Sequence, residues 1–161
     1  MIYTNNFETM MKATDRILWG ALEYRMEYLY LSRKYKEAKK SGDNNLAKDL
    51  FPSLEYVRGH LIGVRDTLEE FTGEDYEVKS IKDDNGNILE QSITFKGKEY
   101  TVSERLRFLR KGVSTLRSYR GNAEALGVSE TSLITSIVDL SEKLERLEKD
   151  INYLKNGIDK Q

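Results

Sequence analysis

The feature that most constrains the fold is an unbroken hydrophobic repeat near the end of the chain. Eight leucine and isoleucine residues alternate at steps of four and three, at Leu133, Ile137, Leu140, Leu144, Leu147, Ile151, Leu154 and Ile158. In this heptad seam isoleucine occupies most a positions and leucine every d position, which favours a parallel two-stranded coil. The pattern predicts a long helix that pairs either within the chain or with a second copy, as a homodimer.

The first part of the chain also has the pattern of long helices. Apolar residues at three-four spacing predict one helix over about residues 6–41 and a second over 44–72, whose apolar face extends from Leu54 to Phe71. Pro52 is the only proline, and it disfavours the helical conformation of the residue before it, so we expect a kink or a break there. Residues 1–73 are therefore predicted to form an N-terminal helical pair.

Two glycines in the second helix call for an explanation. Gly59 and Gly63 lie four residues apart, and each costs ~1 kcal/mol relative to alanine in a helix. Small residues at this spacing allow another backbone to approach closely, so we expect a packing contact at this place.

The period of the pattern changes after residue 73. Apolar residues alternate with charged ones, and Asn85-Gly86 is a two-residue hairpin signal, so residues 74–102 are predicted to form a β-hairpin or three-stranded meander. Ser103 is a good N-cap for a third helix, which would pair with the seam helix as an antiparallel hairpin over residues 103–161. The expected fold is mainly α, a long-helix bundle or coiled-coil hairpins with a small β insert, in one compact domain.

Composition argues against several classes of function. One third of the residues are charged, yet the net charge is only −1, which argues against a general affinity for polyanions or membrane surfaces. The absence of cysteine excludes disulfides, thiolate metal sites and cysteine nucleophiles. No apolar run approaches the ~20 residues of a membrane span, and no signal-peptide pattern is visible. We therefore expect a cytoplasmic protein without membrane association.

Residues typical of catalysis or metal binding do not form a recognisable pattern. His60 is the only histidine, and it has no partner at ligand spacing. The run from Asp83 to Asn87 resembles a calcium loop in composition, but Gly86 falls too early and Thr94 occupies the twelfth position. No phosphate loop, nucleophile elbow or zinc spacing occurs. We expect a protein that is not an enzyme and that has no catalytic residues, cofactor or metal.

A basic cluster in the third helix, predicted over residues 104–120, is a candidate contact surface. It consists of Arg105, Arg107, Arg110, Lys111, Arg117 and Arg120, with Phe108 and Tyr119 interleaved. Such a mixture can hold phosphates and stack on bases, or it can contact an acidic protein. Three of the arginines flank the apolar face, where pairing with acidic residues of the seam helix is the alternative; these are Arg105, Arg110 and Arg117, opposite Glu142, Glu145 or Glu148.

Other candidate contacts are acidic or aromatic. An acidic stretch holds six carboxylates within twelve residues, at Asp66, Glu69, Glu70, Glu74, Asp75 and Glu77. It is interpreted as a solvated helix end or as a surface for a basic partner. Trp19 and Tyr30 are candidate aromatic anchors of an interface if they are exposed, because aromatic side chains carry much of the binding energy of protein interfaces.

Three functions fit these observations. The preferred hypothesis is a non-enzymatic helical interaction protein that binds and modulates another protein, as an adaptor or as an inhibitor of the kind that phages and other mobile elements produce. The first alternative is a nucleic-acid-binding regulator that uses the basic cluster. The second alternative is a structural coiled-coil protein that assembles through the heptad seam.

Overall fold

The structure is a computed structural model, and it describes the backbone of residues 2–157 and the side chains of residues 12–157. Within this range the chain forms four α-helices and three strands, in the order α1 (Ile2–Ser41), α2 (Asn44–Thr72), β1 (Glu77–Lys82), β2 (Ile88–Phe95), β3 (Lys98–Thr101), α3 (Val102–Ser118) and α4 (Glu130–Asn156), with a short 3-10 helix (Arg120–Asn122) after α3. The predicted fold class, mainly α with a small β meander, is confirmed.

Helix α1 is central, because it contacts α2, α3, α4 and two of the strands. It runs antiparallel to α2: the rings of Tyr24 and His60 lie 4.0 Å apart, and further along α1 the rings of Tyr35 and Phe51 lie 6.0 Å apart. Aromatic contacts of this kind add to the energy of area burial. Helices α3 and α4 and strands β2 and β3 also pack against α1.

The boundaries of α2 follow from local capping. The Asp43 carboxylate accepts the backbone N–H of Leu46 at 3.1 Å, and Gly73 ends the helix in the left-handed conformation, with φ 75°. Helix α2 continues through Pro52, so the break is ruled out and the kink stays a prediction. Proline removes one intrahelical hydrogen bond, but Pro52 lies on the exposed side of α2, where water can satisfy the carbonyl that loses its donor.

The buried face of α2 ends one turn earlier than its sequence pattern predicts. Leu68 is 3% exposed, whereas Phe71 is 83% exposed. The placement of Phe71 in the core is therefore wrong. An apolar ring so fully exposed beside the helix end is a candidate contact residue.

Gly59 and Gly63 mark no close contact within the described part of the chain. Both are exposed, and a Cβ added to either would meet no heavy atom within 4 Å. Gly112 of α3 differs, because a Cβ there would lie 2.8 Å from Cδ2 of Leu140 in α4. The close helix approach is therefore found at Gly112.

We predict that Gly59→Ala and Gly63→Ala each raise the free energy of unfolding by about 0.5–1 kcal/mol, because alanine restricts the unfolded chain and meets no obstacle. Urea denaturation measures the change. Gly112→Ala is the matched control, and its gain should be offset by the displacement of Leu140. Equal gains at all three positions would contradict this packing.

The β insert is an antiparallel meander in the order β1-β2-β3. Its first connection is the loop from Asp83 to Asn87 rather than the two-residue turn expected at Asn85-Gly86. The Asp83 carboxylate causes this difference, since it accepts the N–H groups of both Asn85 and Asn87 at 2.9 Å. Ile93 of the central strand is fully buried and anchors the sheet on the helices.

Helix α3 begins slightly before the predicted position. Its N-cap is Thr101, whose side chain accepts the N–H of Glu104 at 3.1 Å, and the N-cap predicted at Ser103 is wrong. The hydroxyl of Ser103 donates instead to Glu90 of β2. At its other end α3 stops at Ser118, so the basic cluster extends past the helix.

Helices α3 and α4 pack as an antiparallel hairpin. Arg110 of α3 contacts Glu148 late in α4, whereas Gly112 faces the earlier Leu140. Helix α4 also lies along α1, where the rings of Tyr30 and Tyr153 are 4.9 Å apart. The hairpin therefore shares its core with the N-terminal half.

The residues of the heptad seam pack against other parts of the same chain, and they differ in how deeply they are buried. Leu133, Leu147 and Leu154 are buried, whereas Ile137, Leu140, Leu144 and Ile151 are half-buried. Ile158 lies outside the described residues. Leu147 and Leu154 belong to the core that α1, α2 and the strands share. Homodimerisation through the seam stays a prediction, and it would require these buried leucines to leave the core.

Candidate functional site

The cations of the basic cluster fall into two groups. Arg105 Nε donates to Glu23 of α1 at 2.8 Å, and Arg110 Nη2 donates to Glu148 of α4 at 3.4 Å. The expected pairing with the seam helix is therefore confirmed for Arg110 and wrong for Arg105, which lies beside α1. The other members are exposed and form no ion pair with any described residue; they are Arg107, Lys111, Arg117 and Arg120.

A groove of about 330 Å³ brings part of this cluster against the tryptophan of α1. This α3 groove is lined by Trp19, Glu104, Arg105, Arg107, Phe108 and Lys111. The four members from positions 104, 107, 108 and 111 lie on one face of α3, because they are separated by three or four residues. Phe108 is 64% exposed. The groove therefore presents an aromatic ring between two unpaired cations.

Arg105 forms the back of the α3 groove. Its Cζ atom lies 5.8 Å from the centre of the Trp19 ring and 5.4 Å from that of Phe108. These distances allow cation–π attraction to both rings. The side chains of Arg105 and Glu23 are 14% and 18% exposed, so the pair is largely shielded from water. The charge that remains available to a partner comes from Arg107 and Lys111.

Trp19 is held from its other side by the β meander. Its ring meets Tyr100 edge-on, with centroids 4.9 Å apart. The Tyr100 hydroxyl and Lys98 Nζ both donate to the carboxylate of Asp15, the lysine at 3.0 Å. This contact fixes the half-buried Trp19 at the groove. Tyr30, in contrast, is buried in the core, so the exposure required of an aromatic anchor is not met there.

The Asp15 contact affects two ionisation equilibria. Burial alone would raise the pKa of Asp15, but the hydrogen bonds from Tyr100 and Lys98, with the lysine charge, outweigh it and hold the pKa below 3.8. Burial, followed by the hydrogen bond to Asp15, raises the pKa of Tyr100 above its usual range. The tyrosine therefore stays protonated and serves as a permanent donor.

We predict that Asp15→Asn destabilises the protein in a pH-dependent way. Because the folded-state pKa of Asp15 lies below its unfolded value, its ionisation stabilises the fold above about pH 4, and this contribution is lost as the pH falls through the folded pKa. The difference between wild type and variant should shrink toward pH about 3. Urea denaturation above pH 4 and again at pH about 3 measures the difference in stability between wild type and variant. The same difference under both conditions would contradict the prediction.

The acidic stretch lies at the end of α2 and the start of β1, and all six carboxylates are exposed. Asp75 accepts Arg65 Nη1 at 3.0 Å, whereas the other five form no ion pair with residues 12–157. Phe71 is exposed among them. This arrangement is an acidic surface with an aromatic centre, and the ring is the part that the sequence pattern missed.

The sequence pattern did not place two carboxylates at this site, one that lines the α3 groove and one that lies beside it. Glu104 lies on the same face as Arg107, and Glu23 neutralises Arg105. Glu104 could have been included from its spacing of three to Arg107. Glu23 could not, because no sequence signal relates a residue of α1 to one of α3.

The described residues show no metal centre and no membrane span. No group of three or more histidine, cysteine, aspartate or glutamate side chains in this range could hold a metal ion. His60 is exposed and stacks on Tyr24, which is a packing role. None of the helices, as far as they are described, is both long and apolar enough to cross a membrane.

Comparison with protein-family models, with curated proteins and with solved structures found no match to this chain. The contacts, exposure and charges of the α3 groove are therefore the basis for a functional proposal.

Proposed function

We propose that this chain is a non-enzymatic interaction protein of the cytoplasm, which binds an acidic segment of another protein in the α3 groove and so modulates it, as an adaptor or an inhibitor. The observation that carries the proposal is the exposed Phe108 ring between the unpaired cations Arg107 and Lys111. Aromatic anchors beside charges are typical of the residues that dominate binding energy. Arg105 lies against the Phe108 ring and also contacts Trp19, so little ordering of the ring is needed on binding.

The charges of the groove favour a polypeptide over a polyphosphate. A nucleic acid carries a negative charge at every nucleotide and so brings a charge close to Glu104, whereas a peptide can place a neutral residue there. An acidic peptide can place carboxylates opposite Arg107 and Lys111 and an apolar side chain against Phe108. A net charge of −1 also gives no wider basic field to attract a polyanion.

Direct titration tests this preference. The probes are a fluorescent peptide rich in aspartate and glutamate with one phenylalanine, and an oligodeoxythymidylate of similar charge. We expect the wild type to bind the peptide, and Arg107→Glu/Lys111→Glu to weaken this binding by about tenfold or more, which corresponds to about 1.4 kcal/mol. The matched control is Lys79→Glu/Lys82→Glu, the same charge change on exposed residues of β1, and it should leave the affinity unchanged.

Nucleic-acid binding is the second candidate, and the exposure of Phe108 favours it. An aromatic ring beside cations can stack on a base, and Arg117 and Arg120 add unpaired charge beyond the groove. In that case the oligonucleotide would bind more tightly than the peptide. Its affinity would fall steeply with salt, with a slope of about −0.7 per phosphate contact, and would be lost in Arg107→Glu/Lys111→Glu. This result would replace the protein-binding proposal.

A further inference from the structure

A second cleft of about 510 Å³ runs along α1, between α2 and α4. Its floor includes Gly20, Tyr24 and Glu27 of α1. One side carries Tyr56 of α2, and the other carries Lys143 and Arg146 of α4. This α1 cleft has a different lining from the α3 groove but adjoins it, because Glu23 lines the cleft and pairs with Arg105 of the groove.

The shape of the α1 cleft matches a helix. Its floor extends from Gly20 to Leu31, which is about 17 Å, or roughly three helical turns. For the residues that the structure describes, α2 and α4 do not contact each other, so the face of α1 between them is only partly covered, and Gly20, Tyr24 and Glu27 are half-buried there. A Cβ added at Gly20 would meet no heavy atom within 4 Å, so the floor is open at this end. In a four-helix bundle, another helix would lie in this position beside α1, α2 and α4.

The charges of the α1 cleft define the chemistry of its occupant. Lys143 and Arg146 are exposed and form no ion pair with the described residues, whereas Asp150, the acidic residue of α4 in the lining, is buried; the charge that the α4 side presents to a partner is therefore positive. Glu27 is half-buried in the floor and has neither an ion pair nor a side-chain hydrogen bond among residues 12–157. Tyr56 is 68% exposed on the opposite side. A complementary partner would be acidic where it faces α4 and apolar where it faces Tyr56, and it would donate a hydrogen bond to Glu27.

We propose that the α1 cleft binds an amphipathic helix of another protein. This helix carries acidic residues on the flank that faces α4, small apolar residues over Gly20 and Tyr24, and one hydrogen-bond donor that reaches Glu27. Helix-in-groove recognition places apolar anchors at such three-four spacing, and the charged flank sets the orientation. None of these contacts comes from a residue that lines the α3 groove.

Selection from a display library tests the proposal. The library holds amphipathic helices of about 18 residues, the length of five turns, with acidic or basic residues randomised on the flanks. The full chain is the bait. Gly20→Leu adds a bulky side chain to the floor of the cleft, at a position where a Cβ meets no heavy atom within 4 Å, and an unchanged thermal midpoint confirms that the variant is folded. Lys143→Glu/Arg146→Glu reverses the charged side.

We expect the selected helices to be acidic on one flank and to bind Gly20→Leu about tenfold or more weakly. Lys143→Glu/Arg146→Glu should prefer the same helices with lysine in place of the acidic residues. The proposal is overturned if no helix is enriched, or if the enriched helices bind Gly20→Leu as tightly as the wild type. It is equally overturned if Arg107→Glu/Lys111→Glu abolishes their binding, because they would then occupy the α3 groove.

Discussion

Leu154→Ala is expected to lower the free energy of unfolding by about 2–5 kcal/mol. Leu154 is 1% exposed and packs in the core that α4 shares with α1 and the sheet, so its loss leaves a cavity beneath both halves of the chain. Leu144→Ala is the matched control, because it removes the same atoms from a half-buried a position of the same seam. We expect its cost to be less than half as large. Urea denaturation of the two variants measures the difference.

Comparing Leu154→Ala with Leu144→Ala also shows whether the heptad seam packs within one chain or between two copies. In a coil between two copies the a and d positions would contribute alike, and stability would depend on protein concentration. Equal losses for Leu144→Ala and Leu154→Ala, together with a midpoint that rises with concentration, would contradict the packing of the seam inside the chain.

Arg105→Met is expected to cost about 1–3 kcal/mol, since it leaves the shielded Glu23 carboxylate without its partner. Methionine preserves most of the packing between Trp19 and Phe108, so the loss reports the ion pair more than the contact area. The measurement is a double-mutant cycle with Glu23→Gln, by urea denaturation. We expect the double variant to lose less than the sum of the two single variants.

Additive losses in this cycle would show that the two side chains do not interact, and that another contact fixes Arg105 at the α3 groove. The binding assay supplies a second check. Because Arg105 supports Phe108 from behind, Arg105→Met should weaken acidic-peptide binding less than Arg107→Glu/Lys111→Glu does.

The sequence was sufficient for the elements of this fold, because the periods of 3.6 and 2 are local properties of helices and strands. It failed where exposure decides the outcome. Pro52 does not break α2, since it lies on the water-facing side, and Phe71 lies outside the core although it continues the apolar repeat. The loop between β1 and β2 also differed, because the Asp83 side chain supplies hydrogen bonds that a residue pattern does not reveal.

The candidate site could be predicted only in part. The basic residues are visible in the sequence, but which of them are free depends on two carboxylates of other helices, Glu23 and Glu148. Trp19 and Phe108 belong to different helices, and only the packing of α1 against α3 brings them to one groove. The α1 cleft is a space between α1, α2 and α4. No sequence pattern indicates that these three helices leave such a space.

The most direct test of the proposed function is capture from a lysate of the source cells, with and without nuclease. The baits are the wild type, Arg107→Glu/Lys111→Glu and Lys79→Glu/Lys82→Glu, and mass spectrometry identifies the retained proteins. We predict that the wild type and the β1 control retain the same protein after nuclease treatment, and that Arg107→Glu/Lys111→Glu loses it. Retention by all three baits, or capture that disappears with nuclease, would contradict an acidic protein partner in the α3 groove.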